Sequence, residues 1–208
     1  MGANRPYSFQ VLAQERRIPE SDRLLIRRLS ALRGCFFDQD AYEALLAAGD
    51  GVVYEVHELR RPEQSGELLS GLSVVYPGLV GEEYFMTMGH FHKARQTAEI
   101  YLCLWGRGAL VMENEAGESA VEELTPGRGI YVAPGWAHRS VNLDLSEPLV
   151  TFFVYPGHAG HDYDTIREAG FRKLVLHRGG STVRNPSVGR EAERIFVVEE
   201  GAKAARGP

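Results

Sequence analysis

Cysteine and tryptophan are nearly missing from this chain, with two of each in 208 residues. Cys35 and Cys103 lie far apart without C-x-x-C spacing, and Cys103 sits in the apolar run IYLCLW. They read as buried thiols, which argues against a cystine-stapled secreted scaffold and for a reducing compartment. Long apolar runs are missing too. No stretch approaches the ~20 residues that a membrane-spanning helix needs. The opening MGANRPYSFQ also lacks the apolar centre of a signal peptide. The expectation is a cytoplasmic protein with no membrane partner. Nor is there excess positive charge: 23 Lys and Arg against 28 Asp and Glu leave a formal −5. That balance argues against a nucleic-acid partner, although a local cluster of donors can hold a small anion against the mean field.

What is present suits one folded domain. Hydrophobic residues make up 44% and charged residues 25% of the chain, enough for a single well-filled core. The first fifty residues differ from the rest. Residues 21–32 (SDRLLIRRLSAL) and 38–48 (DQDAYEALLAA) place apolar side chains at helical spacing, the second stretch stopping at Gly49-Asp50-Gly51. Both read as short helical or irregular segments lying on the main body. From Val52 the period shortens. Stretches 52–59, 69–76, 84–87, 99–104, 109–113, 120–124, 129–132, 139–142 and 149–155 are brief, rich in β-formers, and mostly separated by Gly and Pro turns. Many short strands at this spacing predict an all-β sandwich or barrel. A short helix over 164–169 and a last strand over 172–176 follow. The expected organisation is an N-terminal extension (1–50), a barrel (51–178), and a C-terminal extension with a flexible tail (179–208).

The chemistry concentrates in GHFHKARQTAEIYLCLWGRG, residues 89–108. On a strand His90 and His92 leave the same face, because side chains alternate. Glu99 opens the next apolar run after the turn at 93–98, and His138 stands at the foot of another strand in APGWAHRSVN. Alone, an H-x-H pair is common on surface strands, and a single buried histidine is usually a hydrogen-bonded core residue. Three neutral imidazoles and one carboxylate together suit a divalent cation with open positions: Fe(II), Mn(II), Ni(II) or Zn(II). The combined spacing is that of a cupin, a jelly-roll barrel (double-stranded β-helix). Two departures from the general pattern stand out: a longer gap between His92 and Glu99, and a tighter Pro134-Gly135-Trp136-Ala137-His138.

Those departures, with GHFH, AEIYL, YVAPGWAHRSVN and YPGHAGHDYDTI, resemble the cupin-type glucose-6-phosphate isomerases. The likeness runs upstream through LSALRGCFFD and VVYEVHEL to EEYFMTMGHFH and covers roughly residues 28–176. The AGHDY segment is its most specific element. The resemblance implies a homodimeric enzyme interconverting glucose 6-phosphate and fructose 6-phosphate, with one divalent metal per subunit, Fe2+ ahead of Mn2+, Zn2+ or Ni2+. By matching position, His90, His92, Glu99 and His138 fall on its metal ligands. Ser73, Thr87 and Gly89 fall where the family holds the phosphate, and Tyr101, Tyr155, His161 and Tyr163 fall along the sugar.

Of these, Glu99, His161 and Tyr155 are the expected catalytic groups. Two routes are open. A base can remove the C2 proton to give a cis-enediol, or a hydride can pass directly between carbons. His161 suits ring opening or proton shuttling, since an unperturbed imidazole titrates near neutrality. Lys93 and Arg95, beside the histidine pair, read as a solvated turn. Two other functions fit the same four ligands: a three-His, one-Glu iron oxygenase, and a non-enzymatic metal- and sugar-sensing cupin. The AGHDY segment and the Ser73 and Thr87 hydroxyls favour a phosphosugar.

Overall fold

The computed structural model describes residues 5–177 and the backbone of 183–185 and 190–196. The tail GAKAARGP, expected to fray, lies outside the described residues. In chain order the elements begin with strand β1 (Arg23–Arg28), a 3-10 turn (Leu29–Leu32), helix α1 (Gln39–Ala48), β2 (Val52–Leu59) and β3 (Leu68–Val75). Short strands β4 (Leu79–Val80), β5 (Glu83–Tyr84) and β6 (Phe91–His92) follow, then β7 (Glu99–Trp105), β8 (Gly108–Asn114) and β9 (Ser119–Leu124). The barrel is completed by β10 (Gly129–Val132), β11 (Trp136–Asn142), β12 (Leu149–Pro156) and β13 (His161–Asp162). Helix α2 (Asp164–Ala169) leads to β14 (Lys173–Leu176), β15 (Val183–Asn185) and β16 (Arg190–Phe196).

One sheet runs β1-β2-β3-β12-β7-β10, and facing it lies β11-β8-β9, extended by isolated bridges from His90 to His138 and from Met86 to Val141. The β7 burial pattern shows why these residues make strands: Glu99, Tyr101 and Cys103 are buried while Ile100 and Leu102 are exposed. Between the sheets, Val75, Leu149 and Ile130 from one side meet Leu110, Met112 and Val141 from the other. The outer face of the large sheet is covered at its middle, where Ile18 joins Leu59, Leu72, Val74 and Val150, and Phe9 stacks on Phe152 at 6.0 Å. Behind the small sheet, the buried Arg139 lies over the Phe171 ring at 4.6 Å and approaches Glu83 at 3.6 Å. Burial pushes the Glu83 carboxyl up to about 7 against the opposing pull of Arg139. Among the described residues no helix is long and apolar enough to cross a membrane.

Three expectations need correction. Residues 21–32 are not helical throughout: Arg23–Arg28 is a strand, antiparallel to β2, and only Leu29–Leu32 turns. The apolar residues 24, 25, 26, 29 and 32 satisfy a helical period, but the open edge of β2 offers backbone hydrogen bonds that an isolated turn of helix cannot match. The strand expected at 84–87 is shorter, β5 ending at Tyr84 with Met86 reduced to a bridge. The strand at 173–176 is not the last, since β16 pairs with it in parallel. Helix α1 forms as expected: the Asp38 carboxylate caps the Ala41 N–H at 2.9 Å, and the buried Tyr42 hydroxyl donates to the Leu29 carbonyl at 2.8 Å.

The β7–β8 turn depends on Gly106, whose φ is +79° and whose absent Cβ would overlap the Pro148 carbonyl oxygen. Gly106→Ala combines left-handed strain with that clash. It should lower stability by about 2–4 kcal/mol and the melting temperature by about 5–10 °C, read by calorimetry or circular dichroism.

Candidate metal centre

Four ligand atoms, one each from His90, His92, Glu99 and His138, lie within 4.8 Å of one another. Separate elements deliver them. Gly89, at φ +80°, turns the chain sharply, and a Cβ there would strike the Phe171 ring. His90 then pairs with His138 on β11 through reciprocal backbone bonds of 3.2 and 3.1 Å. His92 follows on β6, and Glu99 opens β7 opposite Val132. The expected strand for the histidine pair is thus only two residues long, Phe91–His92, and the bridge to His138 supplies the rest of its order.

Each imidazole is oriented from behind. The Thr97 hydroxyl donates to the Ala94 carbonyl at 2.6 Å, which leaves it an acceptor for His92 Nδ1 at 2.8 Å. His92 therefore carries its proton on Nδ1 and turns the Nε2 lone pair inward. His138 Nδ1 faces the Trp136 carbonyl at 3.4 Å, an acceptor only, so its Nε2 is bare as well. These two Nε2 atoms stand 3.0 and 2.9 Å from Glu99 Oε2. The His138 approach is close, yet that Nε2 has no aligned hydrogen bond, and neither does His90 Nε2. We read the distance as proximity rather than bonding. Electron-pair donors crowded together in a dry interior repel unless protons or a cation sit among them. The donor set fits a divalent metal, with His90, His92, Glu99 and His138 as its holders.

The surrounding electrostatics agree. Burial, aided by the neighbouring His138, His161 and His92, keeps His90 neutral. His161 is likewise pushed down to about 4 by burial, against the pull of Glu99. The phenols move the other way. Tyr101 rises well above its ordinary value through burial and the adjacent Glu99, and Tyr155 rises for the same two reasons. They remain protonated hydrogen-bond donors.

A cavity of about 260 Å³ opens from this cluster between the two sheets. Ser73, Thr87 and Gly89 line it, as do Tyr101, Tyr155, His161 and Tyr163, so every anticipated substrate residue reaches one space. The His161 ring stands 4.4 Å from His90 and 5.2 Å from Tyr155, and Tyr163 stacks on His161 at 5.7 Å. The loop carrying this pair is tied down from below. Arg95 donates to Asp162 at 2.7 Å, bonds the His92 carbonyl, and lies over the Phe91 ring at 4.4 Å. Arg95 is a strut between two loops rather than part of a solvated turn.

Five polar lining residues escaped the sequence reading: Arg23 and Arg27 on β1, Tyr54 and Glu58 on β2, and Ser140 on β11. Their signal was alternation. In RLLIRR and YEVHEL, residues 23, 25, 27, 54, 56 and 58 share one face only if both stretches are strands. Read as a helix, β1 hides it.

Thr97 provides a test that spares the ligands. Thr97→Val removes the acceptor that fixes the His92 tautomer, and should weaken divalent-metal affinity about 10- to 100-fold. Competition against a chromophoric chelator measures the change.

A family model described as glucose-6-phosphate isomerase (GPI) matches residues 26–190. The glucose-6-phosphate isomerase of Thermococcus gammatolerans is 43% identical over 188 residues, 89% of this chain and 98% of that one. That of Pyrococcus horikoshii is 43% identical over 169 residues, 80% of this chain and 89% of its own. Among solved structures, one of oxalate oxidase overlays 57% of this chain and 58% of that chain with a TM-score of 0.45 at 13% identity. With one family model spanning most of its length and such relatives matching nearly end to end, the chain belongs to the glucose-6-phosphate isomerase family.

Proposed function

We propose that this chain interconverts glucose 6-phosphate and fructose 6-phosphate, using one divalent cation held by His90, His92, Glu99 and His138. The observation that carries the reading is the four-donor cluster at one end of a cavity whose walls are hydroxyls, phenols and a neutral imidazole. A cation bound there supplies Lewis acidity to the sugar oxygens at C1 and C2. Iron(II) is the reading taken from the resemblance, and the donor set equally suits Mn(II), Zn(II) and Ni(II).

The chain's own side chains handle position and protons. Conversion of the aldose moves one hydrogen from C2 to C1 and one hydroxyl proton from O2 to O1. Whether the carbon-bound hydrogen travels as a proton or a hydride, the hydroxyl proton needs a carrier. His161, kept neutral by burial, can take that proton and return it, and it stands against His90 at the metal end of the cavity. Tyr155, held protonated, donates to a sugar oxygen, while Tyr101 lines the sugar with its hydroxyl bonded to Glu99; neither hands over a proton at neutral pH. Glu99 stays ionised as a ligand or carries the hydroxyl proton. Ser73, Thr87 and the Gly89 backbone take the phosphate end; the Thr87 oxygen already accepts the Ser140 N–H at 3.0 Å, which leaves its own proton to give. Tyr163 backs His161.

Two further features complete the reading. The free thiols of Cys35 and Cys103 support a cytoplasmic setting. Exposed Ile100 and Leu102 on β7 and Tyr131 on β10 give one end of the large sheet's outer face an apolar surface suited to a second copy.

A coupled assay with fructose 6-phosphate, run before and after chelation and after metal is returned, tests the activity. Turnover should vanish with chelation and recover with Fe(II) or Mn(II). Absence of turnover with every divalent metal rejects the isomerase, and substrate-dependent oxygen uptake replaces it with an oxygenase. His138→Ala should lower metal content and cut turnover at least about 100-fold while the far-ultraviolet dichroism keeps its β signature. Full activity in that variant removes His138 from the ligand set. Sedimentation should give a dimer, and a purely monomeric boundary ends that part of the proposal.

A further inference from the structure

Away from the four ligands, three polar groups in the same cavity wall have no hydrogen-bond partner: the hydroxyls of Ser73 and Ser140 and Nε of Arg27. Ser73 is 4% exposed and Ser140 is 1% exposed. Orphaned buried donors are rare, because each gives up its bonds to water for nothing. Three of them, arriving from β3, β11 and β1, mark a place prepared for an acceptor the chain itself does not supply.

Register sets how far this place is from the ligands. Ser73 pairs across to Thr151, and Thr151 to Cys103, four residues along β7 from Glu99. At strand rise Ser140, two residues from His138 on β11, stands nearer at about 7 Å, while the row of Ser73 lies about 14 Å along from Glu99. An extended hexose bearing a terminal phosphate, with a contact length at each end, spans a similar distance.

Charge singles out Arg27. Arg23 also lines the cavity, but Glu58 stands 3.5 Å from it and offsets its charge. Arg27 has no ion-pair partner among the described residues. The Tyr54 hydroxyl lies against its guanidinium and steadies it. A guanidinium with its Nε–H free offers two parallel N–H groups to two oxygens of one anion, a geometry that a lysine cannot match.

We propose that Arg27, joined by Ser140, grips the substrate's phosphoryl group alongside Ser73 and makes this enzyme select phosphorylated over free hexose. The inference rests on the isomerase reading for its substrate, but phosphate binding can be measured without turnover. Inorganic phosphate, titrated calorimetrically into the metal-loaded enzyme, is the probe. Arg27→Met should weaken its binding about 10- to 100-fold, and Arg27→Lys should fall between that variant and the wild type. In turnover of fructose 6-phosphate, the Arg27→Met loss should lie in KM rather than kcat. Arg28→Met is the control, since Arg28 points away and donates to the Asp50 carbonyl at 2.9 Å; it should bind phosphate like the wild type.

Wild-type phosphate affinity in Arg27→Met overturns the proposal, and so does wild-type protein that binds no phosphate. If Arg27→Met does not fold, the Arg27→Lys titration decides: unchanged affinity there overturns the fork geometry. Weakened phosphate binding in an enzyme that turns over no hexose phosphate upholds Arg27 and removes the isomerase. Unchanged binding in an active enzyme does the reverse.

Discussion

The crowding of four electron-pair donors at the inner end of the cavity is the constraint on which this structure turns. Left alone, the bare Nε2 atoms of His92 and His138 and the Glu99 carboxylate oxygen push each other apart. The β-framework resists that push with bonds that ignore the charge. The His90–His138 backbone bridge, the Thr97 hydroxyl behind His92 and the start of β7 under Glu99 each fix one donor from outside the cluster. Local repulsion held by a rigid surround is how a site stays ready for a cation instead of collapsing on itself.

The same surround explains why the small sheet is packed so heavily on its far side. β11 carries His138 and Ser140 inward, and between them Arg139 outward, into a buried place with Glu83, Phe171 and the Lys173 carbonyl. A guanidinium there is costly to bury, and both partners are displaced from their ordinary titration range, Glu83 upward and Arg139 downward. Its effect is positional: strand β11 presents His138 and Ser140 to the cavity on one face and is gripped by an ion pair on the other. An inward histidine and an outward anchor one residue apart leave the strand little freedom to rotate.

Much of this was legible in the chain. The four clustered donors were visible because chemistry repeats at fixed intervals: the H-x-H period, a glutamate opening an apolar run, a histidine after a Pro-Gly turn. Most strand positions followed from β-formers between glycines and prolines. What stayed hidden was decided by tertiary partners. RLLIRR satisfies both a helical and an alternating period, and only the vacant edge of β2 chooses between them. Misreading it removed Arg23 and Arg27 from view. β16 was invisible for a related reason, since its pairing with β14 is parallel and announces itself through no adjacent turn.

Strand β1 shows two faces with two uses: Arg23, Leu25 and Arg27 toward the cavity, Leu24 and Ile26 toward the outside. A slip of one residue in its pairing with β2 would exchange these faces, sending aliphatic groups into the cavity and both guanidinium groups to the surface. The single irregularity in register already present, between Arg27 and Arg28, falls after the last inward arginine, where an odd residue does no harm.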